Sequence, residues 1–117
     1  MKEFMLLFRS DYKNMQYSSP EEWQAVAKKW QDWIKGIAAK DKWVAAGTQL
    51  SPEGKVIRPN GIITDGPYAE TKESLLSYCV IKAESLEEAA KLSEGCPVFE
   101  TGGTVEIREM MNSKSWK

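Results

Sequence analysis

Histidine is absent from the 117 residues, so both the commonest acid–base group near neutral pH and the commonest metal ligand are missing. Cysteine is scarce. Cys79 and Cys96 could form at most one bridge, and neither belongs to a Cys-x-x-Cys pair. The sequence therefore argues against a disulfide scaffold and a structural zinc site, and no metal or cofactor is expected. Neither sign of charge dominates, since 16 bases face 17 acids for a net charge of -1. Such a balance exerts no general pull on phosphate backbones or anionic lipid, so nucleic acid and membranes are not expected partners. Long apolar runs are missing too: none approaches the ~18 residues of a spanning helix. Glu3 places an acid where a secretory leader would carry only bases before its hydrophobic stretch. The expectation is a cytoplasmic protein forming a single domain over residues 1–117.

What is present reads as alternating strands and helices. Glu3 to Arg9 is a short run rich in Phe and Leu, too short for a stable helix before Ser10-Asp11. As a strand it sends Phe4, Leu6 and Phe8 one way and Met5 and Leu7 the other, so both faces want cover. Ser19-Pro20-Glu21-Glu22 is a helix start: serine caps, proline fits the first helical position, and Glu22 can close a capping box. Trp23, Val26, Ala27, Trp30, Trp33, Ile34 and Ile37 then fall on one stripe. Three tryptophans in a stripe could form a ligand box, but large aromatics at this spacing are more often core, and core is the reading taken.

Trp43 to Leu50 reads as a weaker strand in which Gly47 marks a bulge or a close backbone approach. Lys55-Val56-Ile57-Arg58 and Ile62-Ile63-Thr64, joined by Pro59-Asn60-Gly61, make a small inserted hairpin. Leu75 to Ala83 is β-prone and apolar on both parities, as a central strand is. Ser85-Leu86-Glu87-Glu88 repeats the capping-box pattern and opens a short helix closed by Gly95 and Pro97. In the last strand, from Thr104 to Met110, Val105 and Ile107 alternate with Thr104, Glu106 and Arg108. The tail 112–117 is expected to fray, with Trp116 as its one docking residue.

This order comprises two strand-helix-strand units in series. Right-handed crossovers place both helices on one face of an antiparallel sheet, giving a ferredoxin-like α+β fold, βαββαβ with an inserted β-hairpin. The opposite face is then bare, yet it receives Met5 and Leu7 or their opposite-parity partners, and Cys79 and Ile81 or theirs. Burying that patch, at ~25 cal/mol per Å2, points to a homodimer with sheets packed face to face. Glu106, Arg108 and Arg9 would line any gap between the sheets.

Asp65-Gly66-Pro67 is a turn whose glycine and proline fix the backbone, and Glu70-Thr71-Lys72-Glu73 follows with two carboxylates, a hydroxyl and an ammonium. On local pattern it reads as a solvated loop, or alternatively as the polar rim of a small-molecule site. The run Thr64-Asp65-Gly66-Pro67-Tyr68-Ala69-Glu70-Thr71-Lys72-Glu73 resembles the signature of the DGPF (DGPFAETKE) branch of the YCII-related superfamily, departing from it only in Tyr68 for Phe. Met5-Leu6-Leu7, the helix start at Ser19, Cys96-Pro97 and Gly102 to Arg108 resemble the same pattern.

The resemblance implies a dimeric α+β barrel and little about activity. Its members are often encoded beside extracytoplasmic-function sigma factors, which makes a non-catalytic regulatory or interaction module the alternative function, with a sigma factor as partner. The His–Asp chemistry suspected of other YCII-like proteins cannot be carried to a chain without histidine. The leading function is binding of a small polar or anionic molecule in a cleft next to the 65–73 loop. Asp65 is the candidate general base or orienting acceptor, Lys72, Arg108 and Arg9 are polar or anion-holding groups, Glu70, Glu73 and Glu106 are acceptors, and Tyr68 is an aromatic wall. A carboxylate metal site from Asp65, Glu70 and Glu73 is conceivable but disfavoured. Cys96, after a helix C-terminus, and Cys79, in mid-strand, read as structural.

Overall fold

Phe4, Leu6, Phe8 and Ser10 are buried on one side of strand β1 (Lys2–Ser10), while Met5, Leu7 and Arg9 on the other side are only half-buried. This computed structural model describes residues 1–15, 17–66 and 73–111. The alternation left open by two apolar parities is thereby settled. Strand β5 (Ser74–Ala83) runs antiparallel to β1 and carries the same division, with Phe4 opposite Ile81 and Leu6 opposite Cys79 on the buried side. Strand β6 (Thr104–Glu109) pairs with the other edge of β1, and β2 (Trp43–Ala46) with the outer edge of β5. The resulting order is β2-β5-β1-β6, with every neighbouring pair antiparallel. An α+β architecture of this order is consistent with the ferredoxin-like arrangement.

Two helices cover the buried side. Helix α1 (Pro20–Ala39) contributes Ile37, and helix α2 (Leu86–Ser93) contributes Ala89 and Leu92, to one core with Phe4, Leu6, Phe8 and Ile81. Both helices start as their sequences predict: the hydroxyls of Ser19 and Ser85 accept hydrogen bonds from the backbone N–H groups of Glu22 and Glu88 at 3.1 Å. Such caps are worth about 1 kcal/mol each. The reciprocal bonds reach one residue further than a standard capping box. Glu22 accepts from the Ser18 N–H and hydroxyl, and Glu88 from the Glu84 N–H. Among the described residues no helix is long and apolar enough to cross a membrane.

Three features depart from the sequence reading or sharpen it. The strand expected over 43–50 is regular only to Ala46, although the Gly47 and Leu50 N–H groups still donate to the carbonyls of Tyr78 and Leu76. A Cβ on Gly47 would lie 2.3 Å from the Tyr78 carbonyl oxygen, so the glycine marks a close backbone approach. The hairpin forms its own two-stranded sheet, β3 (Gly54–Ile57) and β4 (Ile63–Gly66), apart from the main one. The tryptophan stripe divides. Trp30 and Trp33 pack edge-to-face with Phe8 and with each other, whereas Trp23 is 57% exposed. Core packing thus begins after the first turn of α1. Trp116 and the expected frayed tail lie outside the described residues.

Candidate functional site

Strand pairing fixes what the sheet presents on the side away from the helices. Across it run three rows: Arg108, Met5 and Val80; Glu106, Leu7 and Tyr78; and Thr104, Arg9 and Leu75. The centre is apolar and the β6 side is charged. Between the rows, Arg9 of the third donates through Nε to Glu106 Oε1 at 3.2 Å, and Arg108 of the first donates through Nη1 to Glu106 Oε2 at 3.3 Å. Two guanidiniums thus share one carboxylate. Arg9 reaches further and donates through Nη1 to the backbone carbonyl of Glu73 at 3.3 Å, tying the end of the 65–73 run to the sheet.

The electrostatic consequence falls on Glu106. Its carboxyl is held below the usual carboxylate range chiefly by the hydrogen bond from Arg108; burial opposes this, and the hydrogen bond from Arg9 and the charges of both guanidiniums add to the lowering. It stays ionised at neutral pH. A groove of about 550 Å3 opens beside it, lined by Arg9, Glu73, Gly102, Thr104, Val105 and Glu106. Arg108 is 71% exposed and spends one nitrogen on Glu106, which leaves the rest of its planar fork of donors available to a ligand oxygen pair.

The structure brings together Arg9, Glu73, Glu106 and Arg108 from the sequence-predicted set. Asp65 stands elsewhere. It lies on β4 directly opposite Lys55 of β3, and the two side chains form an ion pair at 2.9 Å with the carboxylate 92% exposed. Tyr68, Glu70 and Lys72 lie outside the described residues, and with Glu70 so does the conceivable carboxylate trio. Among the described residues no three His, Cys, Asp or Glu side chains gather to hold a metal ion.

Sequence reasoning missed Thr104 and Gly102 as groove residues and Lys55 as the partner of Asp65. Lys55 was within reach, because folding the hairpin about Pro59-Asn60-Gly61 sets it opposite Asp65. Thr104 becomes a neighbour of Arg9 only once the β1–β6 register is known.

The cysteines are structural by position. Cys79 and Cys96 are both buried in the core as free thiols, and burial pushes each pKa up to about 12, with the neighbouring Cys96 adding to the effect on Cys79. A thiol that far above neutrality is not a nucleophile. The paired guanidiniums and the carboxylate are groups that can hold charge and hydrogen bonds.

Comparison with known proteins gives a family match. The YCII-related domain matches residues 3–114. Among solved structures, the 5-chloro-2-hydroxyhydroquinone dehydrochlorinase (TftG) from Burkholderia phenoliruptrix AC1100, in complex with 2,5-dihydroxybenzoquinone, is similar at 17% identity and a TM-score of 0.48, over 95% of this chain and 96% of its own. No curated protein matches.

Proposed function

The chain belongs to the YCII-related domain family, and from that premise we propose that it is a homodimeric α+β barrel of the DGPF branch. In this reading it holds a small polar carboxylate against Arg9 and Arg108, between the stacked sheets and the 65–73 run. The run Thr64 to Glu73 supports the branch, and the half-exposed Met5, Leu7, Leu75 and Val80 support the stacking, since water would otherwise wet a contiguous apolar band. The observation that carries the ligand is the sharing of Glu106 by two guanidiniums.

The charge arithmetic selects the ligand class. Arg9 and Arg108 are bound to Glu106, and Glu73 is a second acid among the groove's lining residues, so the site is polar on both signs. A ligand with a carboxylate and a neighbouring hydroxyl or ammonium group suits it better than a bare polyanion. Asp65, engaged by Lys55, positions the arm from which residues 67–72 run. Tyr68, Glu70 and Lys72 are the contributions of that run to the ligand. The chemistry proposed is binding.

Glycolate and its uncharged amide, glycolamide, test this directly by thermal shift. A ligand at ten times its Kd stabilises by about 1.4 kcal/mol. For a domain of this size that raises the melting temperature by several degrees. Glycolate is expected to do so and glycolamide is not. Arg108→Gln should abolish the glycolate shift in a protein that still unfolds in one cooperative transition. Equal shifts from the two compounds, or a glycolate shift that survives Arg108→Gln, would overturn the reading.

A further inference from the structure

On the helix-covered side of the same sheet, between the first half of α1 and the strands, lies an open cavity of about 310 Å3. Its walls are Trp23, Val26 and Trp30 of α1, and its floor is Phe8 of β1 with Leu76 of β5. Trp23 and Trp30 are seven residues apart, two helical turns, so their indoles stand on one face with the small Ala27 between them. The β1–β5 register slips between Phe8 and Arg9, and next to this slip both Leu76 and Ser77 line the cavity. A bulge of this kind re-aims side chains that strict alternation would send to opposite faces.

Three polar side chains complete the lining: Tyr17, Gln49 and Ser77. None of the three makes a side-chain hydrogen bond to another described residue, while their positions offer two hydroxyls and a carboxamide to whatever enters. No Asp, Glu, Lys or Arg lines the cavity among the described residues. An apolar pocket with a few polar groups able to orient a guest is the general form of a small-molecule site.

We infer that this cavity is a second binding site, distinct from the Arg9–Glu106–Arg108 groove, for a neutral single-ring aromatic molecule carrying a hydroxyl or carbonyl group. Size sets one bound, because 310 Å3 is at the lower end of ligand pockets and suits one ring rather than a nucleotide. Charge sets another, because an ionised guest would surrender its hydration to walls that offer no counter-charge. Ring geometry sets the third. Trp30 already meets Phe8 edge-to-face at 5.1 Å, and a planar guest between Trp30 and Trp23 continues that packing while covering the exposed indole of Trp23.

Phenol, cyclohexanol and benzoate are the probes, titrated against the 15N-labelled full chain while the indole N–H signals are followed. Phenol should shift the Trp23 and Trp30 signals saturably and leave that of Trp43 in place, and cyclohexanol and benzoate should bind at least tenfold more weakly. Trp23→Ala should weaken phenol at least tenfold, and its exposed position keeps the fold intact. Ala27→Phe, which fills the space, should abolish binding in a protein whose circular dichroism is unchanged. The inference is overturned if phenol fails to saturate, if it binds no better than cyclohexanol, or if Trp23→Ala binds it as the wild type does.

Discussion

Glu106 owes its low pKa to Arg108 and Arg9, and that makes it a reporter of the candidate site. A carboxyl whose folded pKa is depressed binds fewer protons in the native state than in the unfolded state. The stability it lends is therefore present above the unfolded carboxylate pKa and is lost as pH falls through the lower, folded value. Arg9→Gln and Arg108→Gln should each move the Glu106 titration back toward the ordinary carboxylate range, read from its side-chain carboxyl carbon by NMR. In urea unfolding, Glu106→Gln should be less stable than wild type at pH 7, and the gap should close toward pH 3. A gap independent of pH would mean that the ion pairs are incidental. The pairing behind this was half legible. Alternation in 104–110 put Glu106 and Arg108 on one face, but only the β1–β6 register shows that Arg9 is the second guanidinium. Asp65 shows the opposite case: its turn was readable, its partner Lys55 required the folded hairpin, and the rest of its run lies outside the described residues.

At the scale of elements, the local chemistry of caps and turns was the readable part. Ser19, Pro20 and Ser85 fix both helix starts, and Gly95 in a positive-φ conformation follows the end of α2, because each feature depends on a few adjacent residues. The tryptophan stripe was misjudged in part for a physical reason. Periodicity says which side of α1 faces the sheet, and it does not say how closely the sheet approaches the helix's first turn, where Trp23 is left facing a cavity. Glycines sharpen the distinction between local and tertiary constraint. Gly36 lies inside α1 with nothing within 4 Å of a would-be Cβ, so Gly36→Ala should stabilise by about 0.5–1 kcal/mol through helix propensity alone. Gly47→Ala must push a Cβ into the Tyr78 carbonyl and should cost at least about 2 kcal/mol. Urea midpoints of the two variants should move in opposite directions at a common slope. A neutral Gly47→Ala would show that the β2–β5 edge yields more easily than its backbone contact implies.

For the whole molecule, the shortest extent, 19 Å, is the telling dimension. Packed layers of secondary structure stand roughly 10 Å apart. A slab 19 Å thick is one sheet with one helical layer, leaving Met5, Leu7, Leu75 and Val80 without a third layer among the described residues. The radius of gyration, 16.0 Å, exceeds the ~13 Å of a typical chain this long. The β3–β4 hairpin, a separate two-stranded sheet, is one source of that excess, and it carries Ile57 and Ile63 at 72% and 58% exposure. Two apolar surfaces therefore compete for a partner, the open sheet and the arm, and they predict different mutants. If the sheets stack, as proposed, Leu7→Glu puts a carboxylate beside Glu106 in the middle of the interface. Sedimentation velocity should then show a monomer at concentrations where the wild type is a dimer. Ile57→Thr with Ile63→Thr should leave that dimer intact. The reverse pattern, a dimer that survives Leu7→Glu and dissociates when the two isoleucines are replaced, would assign the contact to the arm. It would also leave the Arg9–Glu106–Arg108 groove open to water on a single chain, where each guanidinium contact to a ligand is worth far less.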